Sequence, residues 1–224
     1  MKGNTLAILF LAMLVWLVPY GASARLQSSL EMEFDFEGMG NSIVNSPVIY
    51  AGDIYDGDPL LTGASWWIRL DDSTWPPLSN PQARWDYIFS NYFHYDAGTY
   101  SWTAIFDEVS LPTKPTWQIN HPVNGMMSGT LVVAVQYTDW NDNHVLDIEE
   151  RTLALYSGTL IVMKYGTGMF AGYCGEGSYN GALNNGDPAN WDDDFVEGHC
   201  TLLLKNCSIG TRAITWSGVK ELFR

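Results

Sequence analysis

Basic side chains are scarce: 11 Lys and Arg stand against 25 Asp and Glu in 224 residues, a formal net charge of −14. Those few are scattered singly, so the chain has no cluster that could track a phosphate backbone, and nucleic acid is excluded as a partner. Cysteine is scarcer still, with only Cys174, Cys200 and Cys207. An odd number allows at most one intramolecular disulfide, and Cys200 with Cys207 or Cys174 with Cys200 are the natural pairs. The chain has no CxxC and no Cys/His ligand spacing, so a structural zinc site is not expected. Beyond the first 24 residues no apolar run approaches the roughly 20 residues a membrane helix requires. A complete catalytic signature is also missing. His94, His121, His144 and His199 sit in no Ser, Cys or metal motif, and His199 and Cys200, as neighbours on a strand, would face opposite ways. Gly166-Thr167-Gly168 lacks the lysine and the following helix of a phosphate loop and reads as a glycine hairpin.

Apolar residues, in contrast, make up 46% of the chain and aromatics 14%, enough to bury a core, so global disorder is excluded. The first 24 residues read as a signal peptide. Lys2 gives a positive start, Leu6 to Val18 is apolar, and Ala22-Ser23-Ala24 supplies the small residues of a cleavage site. The expectation is one exported domain, 25–224, that is secreted, periplasmic or at the cell surface, with no membrane span after cleavage.

Period-two alternation in Leu30–Glu37 sends Leu30, Met32, Phe34 and Phe36 to one face and four carboxylates to the other, as in a half-buried strand. β-rich runs follow at 64–70, 99–106, 129–138, 152–165, 177–183, 195–205 and 212–216, separated by Gly, Asn, Asp and Pro clusters. Asn80-Pro81 starts a helix, and Trp85, Ile88, Phe89 and Tyr92 continue it at helical spacing. A short helical turn is expected at 219–223. Many strands without alternating helices predict a mainly β fold, an antiparallel β-barrel or β-sandwich with one short helix near 81–91. Ser128-Gly129-Thr130-Leu131-Val132-Val133 recurs as Ser157-Gly158-Thr159-Leu160-Ile161-Val162, which predicts two comparable strands of one sheet, each entered through a glycine turn.

The motif with the most chemical content is Asp139 to Glu150. Oxygen side chains stand at positions one, three, five, nine and twelve of a twelve-residue loop, with aliphatic Leu146 at position eight. Ca²⁺ takes six to eight oxygens in that order. The stretch resembles EF-hand and dockerin loops. The resemblance implies side-chain ligands from Asp139, Asn141 and Asn143, a backbone carbonyl from Val145, a direct or water-mediated ligand from Asp147, and a bidentate clamp from Glu150. The sequence departs from that pattern at His144, where glycine normally makes the turn, at Trp140 in position two, and at Arg151 after the clamp. Leu131–Tyr137 alternates like a strand, so the loop is expected between β elements rather than in a helix pair.

Asp53, Asp56 and Asp58, and Asp187 with Asp192–Asp194, read as polar turn clusters. Trp75, Trp140 and Trp191 are flanked by turn residues, and an exposed Trp beside carboxylates suits stacking on sugar. Gly158–Gly172 is similar to the strand-turn-strand of the allene oxide cyclase and dirigent barrels, which implies a barrel. The functional expectation is a secreted, calcium-stabilised β domain with a binding or structural role, not an enzyme, with carbohydrate or a cell-surface protein as partner. The alternatives are an exported hydrolase or cyclase with its site in a barrel mouth, or a carbohydrate-binding module.

Overall fold

The computed structural model describes residues 28–40, 47–70, 74–76, 79–186 and 194–207. The signal segment, the run at 212–216, the turn at 219–223, and Trp191 with Asp187, Asp192 and Asp193 lie outside these residues.

Among the described residues ten strands form one sheet, and eight of them close into an antiparallel barrel. Strand β1 (Ser29–Gly40) pairs with β2 (Val48–Gly57) on one side and with β10 (Asp194–Asn206) on the other. From β2 the wall runs through β3 (Ser65–Leu70) and β6 (Thr116–His121) to β7 (Gly125–Thr138). From β10 it runs through β9 (Tyr173–Asn185) to β8 (Leu153–Val162), and β7 pairs with β8 to close the ring. The architecture is therefore a barrel, not a sandwich. At 14 residues, β7 is long enough to carry two partners on one edge. Its first half pairs with β6 and its second half with β5 (Ser101–Phe106), from which β4 (His94–Asp96) extends outside the barrel.

The helix α1 (Pro81–Tyr92) starts as expected, with the Asn80 side chain accepting from Ala83 N and Pro81 in the first turn. Trp85 and Ile88 are buried, and the Trp85 ring meets Phe89, Phe93 and Tyr137, so the helix packs against the end of β7. Among the described residues no helix is long and apolar enough to cross a membrane.

Inside the barrel, aromatic side chains sit against glycines of nearby strands. Trp66 covers Gly38, Trp117 covers Gly129, Tyr156 covers Gly181, Tyr179 covers Gly158 and Tyr50 covers Gly40. A Cβ at any of these glycines would collide with the ring. This pairing lets a small barrel curve and still fill its interior. The repeated segments 128–133 and 157–162 pair with each other, Gly129 opposite Val162 and Val133 opposite Gly158. Their glycines are therefore seats for Trp117 and Tyr179 within the strands, not the entry turns the repeat suggested.

Two further readings are corrected. The disulfide joins Cys174 to Cys207, neither of the pairs favoured by spacing, while Cys200 is free and buried. The reason is register: Lys205 stands opposite Cys174, so the residue that leaves β10 two positions later curls back over it. Asp53 and Asp56 lie on strand β2 rather than in a loop, and only Asp58 sits in the turn, where it accepts from Leu60 N. Strands β2, β4 and β6 went unanticipated because glycine, acids and short length hid their alternation.

Candidate functional site

The two ends of the barrel differ. At one end the turns after β2, β6 and β8 interlock. Asn124 donates to the Leu60 carbonyl, Met169 N to the Asn124 carbonyl, and Cys207 N to the Gly172 carbonyl. Leu61, Phe170 and Leu204 plug the interior beneath them, and the disulfide fastens the edge. At the other end lie the 139–150 loop, helix α1 and a row of polar side chains.

The 139–150 loop joins β7 to β8 through a short 3₁₀ turn, Glu149–Thr152. Asp139 and Glu150 are buried, at 3% and 2% exposure, and buried carboxylates persist only with partners. Asp139 accepts from Asn143 N at 3.3 Å and from His144 N at 3.0 Å. Glu150 accepts from Trp140 N at 2.9 Å through one oxygen and from Asp147 N at 3.1 Å through the other. Each carboxylate oxygen carries two lone-pair sites, so one amide on each leaves capacity for a cation. Asn141 and Asn143 both donate to Asp147 Oδ2, at 2.8 and 2.9 Å, which brings positions three, five and nine together. His144 has φ +62°, the left-handed conformation that glycine provides at position six of calcium loops, and Leu146 at position eight is buried. The departure at His144 thus changes the residue without changing the turn. Burial pushes the Asp139 carboxyl up, but hydrogen bonds from the His144 amide, the Tyr95 hydroxyl and the Asn143 and Asp142 amides outweigh it and hold the group below its ordinary range.

Tyr95 on β4 was not anticipated from sequence. Its hydroxyl donates to Asp142 Oδ1 at 3.2 Å, and its ring lies 4.3 Å from the His144 ring. Asp142 and His144 also bring ligand atoms within 4.8 Å of Asp139, an alternative trio for a metal. Asp142 Oδ1, however, is engaged by Tyr95 and by His144 Nε2 at 3.2 Å, and both side chains are exposed, so they form the outer wall of the loop. The buried oxygens belong to Asp139 and Glu150.

Arg151 follows the clamp and joins the loop to the barrel interior. Its guanidinium donates to the Leu146 carbonyl and lies 4.9 Å from the centre of the Trp85 ring. It lines a cavity of about 70 Å³ together with Tyr50, Trp66, Tyr137, Asn185 and Asp194. Asp194 begins β10 opposite both Gly40 and Asn185, and it accepts from the Tyr50 hydroxyl at 3.0 Å. Burial, and then the Asp194 charge, push the Tyr50 and Tyr137 hydroxyls up, while Arg151 lowers Tyr137. The other four inward aromatics donate to backbone carbonyls: Trp66 to Glu37, Trp117 to Thr130, Tyr156 to Glu197 and Tyr179 to Val132. Only Tyr50 of these five donates to a side chain.

Outside the barrel, His199 bridges two carboxylates of β1, with Nδ1 2.7 Å from Asp35 and Nε2 3.1 Å from Glu33. Glu37 stands opposite Glu197 on one side and Asp53 on the other, and Asp35 stands opposite Asp56. Trp75 is buried against Tyr92 and Phe106 as part of the core, whereas Trp140 is 60% exposed. Compared with known protein families, curated proteins and solved structures, the chain has no match.

Proposed function

We propose that this chain is an exported β-barrel, secreted, periplasmic or at the cell surface, that is stabilised by calcium and works by binding or structure rather than catalysis. The observation that carries the reading is the 139–150 loop. Two buried carboxylates, at positions one and twelve, share a loop whose sixth residue takes the glycine conformation. Asp139, Asn141, Asn143, Asp147 and Glu150 would supply side-chain oxygens and Val145 its carbonyl, and the donors are all hard oxygens, as Ca²⁺ prefers. The ion would neutralise carboxylates gathered between β7 and β8 and stabilise the folded state by mass action. Export is supported by the charge and apolar pattern of residues 1–24 and by a disulfide in the Cys174–Cys207 arrangement, which persists in oxidising compartments.

A thermal melt with millimolar calcium, with chelator and with magnesium tests the reading. Calcium is expected to raise the midpoint, magnesium less so, and Glu150→Gln to remove the response. An unchanged midpoint in 10 mM calcium sinks it, since extracellular loops of this kind bind at about 10⁻⁴–10⁻³ M.

A further inference from the structure

We propose that the cavity at the polar end of the barrel binds a small, largely apolar molecule carrying one hydrogen-bond-donor head, an amine or an alcohol. The site names a ligand class for the binding role above and does not depend on the calcium loop being loaded.

The cavity measures about 70 Å³, several times the roughly 10–15 Å³ that one water needs. Most of its wall is apolar or aromatic, with Val48, Leu70, Phe106 and Val133 among the lining residues, so it suits a hydrocarbon body. The Tyr156 and Tyr179 hydroxyls on the lining are committed to backbone carbonyls, and at the polar end the inward faces of β9 and β10 place Asn185 opposite Asp194. Asn185 is 7% exposed, and its Oδ1 meets no donor. Leaving a buried acceptor unmade costs about 1–3 kcal/mol, so such an atom facing a cavity marks the place of an occupant's donor.

The neighbouring groups fix the polarity of that occupant. Asp194 presents a carboxylate beside Asn185, and the Tyr50 hydroxyl is already committed as a donor to it. Arg151, the cation on the lining, is held at the rim by the Leu146 carbonyl and the Trp85 ring. Asn185 Oδ1 and Asp194 are therefore the acceptors at this end, beside the Tyr137 hydroxyl. An acceptor-only anion would meet Asp194 and Asn185 Oδ1 unfavourably, whereas an ammonium or hydroxyl would satisfy Asn185.

The test titrates the full chain with n-propylamine, n-propanol and propionate, following resonances of Tyr50, Trp66 and Asn185 by NMR. The amine or the alcohol is expected to shift them saturably and propionate not to, and comparison of the two donors identifies the head. Asn185→Leu should weaken binding about tenfold or more, the loss of one buried hydrogen bond, and Asn185→Asp should retain it. No shift with either donor, meaning water alone at Asn185, overturns the proposal. So does propionate binding as tightly as the donors, or unchanged binding in Asn185→Leu. If that variant fails to fold, nuclear Overhauser contacts between ligand and the Asn185 carboxamide in the native chain decide, and their absence overturns it. Failure here leaves the calcium melt unaffected, so the two readings fail separately.

Discussion

One end of the barrel is closed by what proteins use to be stable, and the other is built from what they ordinarily avoid burying. At the sealed end, Leu61, Phe170 and Leu204 fill the interior, Asn124 ties three turns together through its side chain and its carbonyl, and Cys174 is bonded to Cys207. At the polar end the inward row includes Asp194 and Asn185, with Asp139, Glu150 and Arg151 just beyond the strands. Burying carboxylates and amides is costly unless they are partnered. The same eight strands thus place an apolar, cross-linked end and a polar end along one axis.

The largest test of this contrast is truncation at matched depth. Phe170→Ala at the sealed end should cost about 3–5 kcal/mol, as a buried ring does. Asn185→Leu at the polar end should change stability by less than about 1 kcal/mol, because it removes an orphaned acceptor. Urea unfolding measures both, and equal losses would erase the distinction. Replacing Cys174 and Cys207 together by alanine should cost about 2–4 kcal/mol. The loss should be the same with calcium or chelator, since the two devices sit at opposite ends.

Calcium at about a hundredfold excess over its dissociation constant should add about 2.7 kcal/mol, and Glu150→Gln should abolish that gain without altering the cost of losing the disulfide. Protons act on the same loop. The folded Asp139 carboxyl titrates below its unfolded value, so its contribution is fully present above the unfolded value of about 3.9 and fades as pH falls through the lower folded value. Asp139→Asn should flatten that part of the acid-unfolding curve. The smallest effect is on the outer face. Glu37 has like charges on both sides, so Glu37→Gln should raise stability by about 0.2–1 kcal/mol at low salt. Glu31→Gln, with Leu203 opposite, should not.

Much of the fold was legible because strands declare themselves by period two. Leu30–Glu37 alternates in sequence and lies in β1 with Met32, Phe34 and Phe36 inside. The start of α1 was legible because capping is local. Strand β2 was not, since Gly52, Asp53, Asp56 and Gly57 look like turn chemistry when the partner strands are unknown. At the loop, the order of oxygens was visible, but Tyr95 lies 44 residues before Asp139 in the numbering and reaches it only through β4. Asp194 was taken for part of a loop cluster, although Val196, Cys200 and Leu202 continue its alternation along the inward face of β10.

By itself, then, the sequence determined the β-rich character, the helix start, the acidic surface and the linear order of oxygens from Asp139 to Glu150, because each follows from side-chain period or local backbone chemistry. Tertiary structure decided the barrel rather than the sandwich, the Cys174–Cys207 bond, the seating of rings over glycines, and the meeting of Tyr50, Asn185 and Asp194. Each of these depends on which strands are neighbours and in what register, and register is set by packing across the whole sheet rather than by any short stretch of chain.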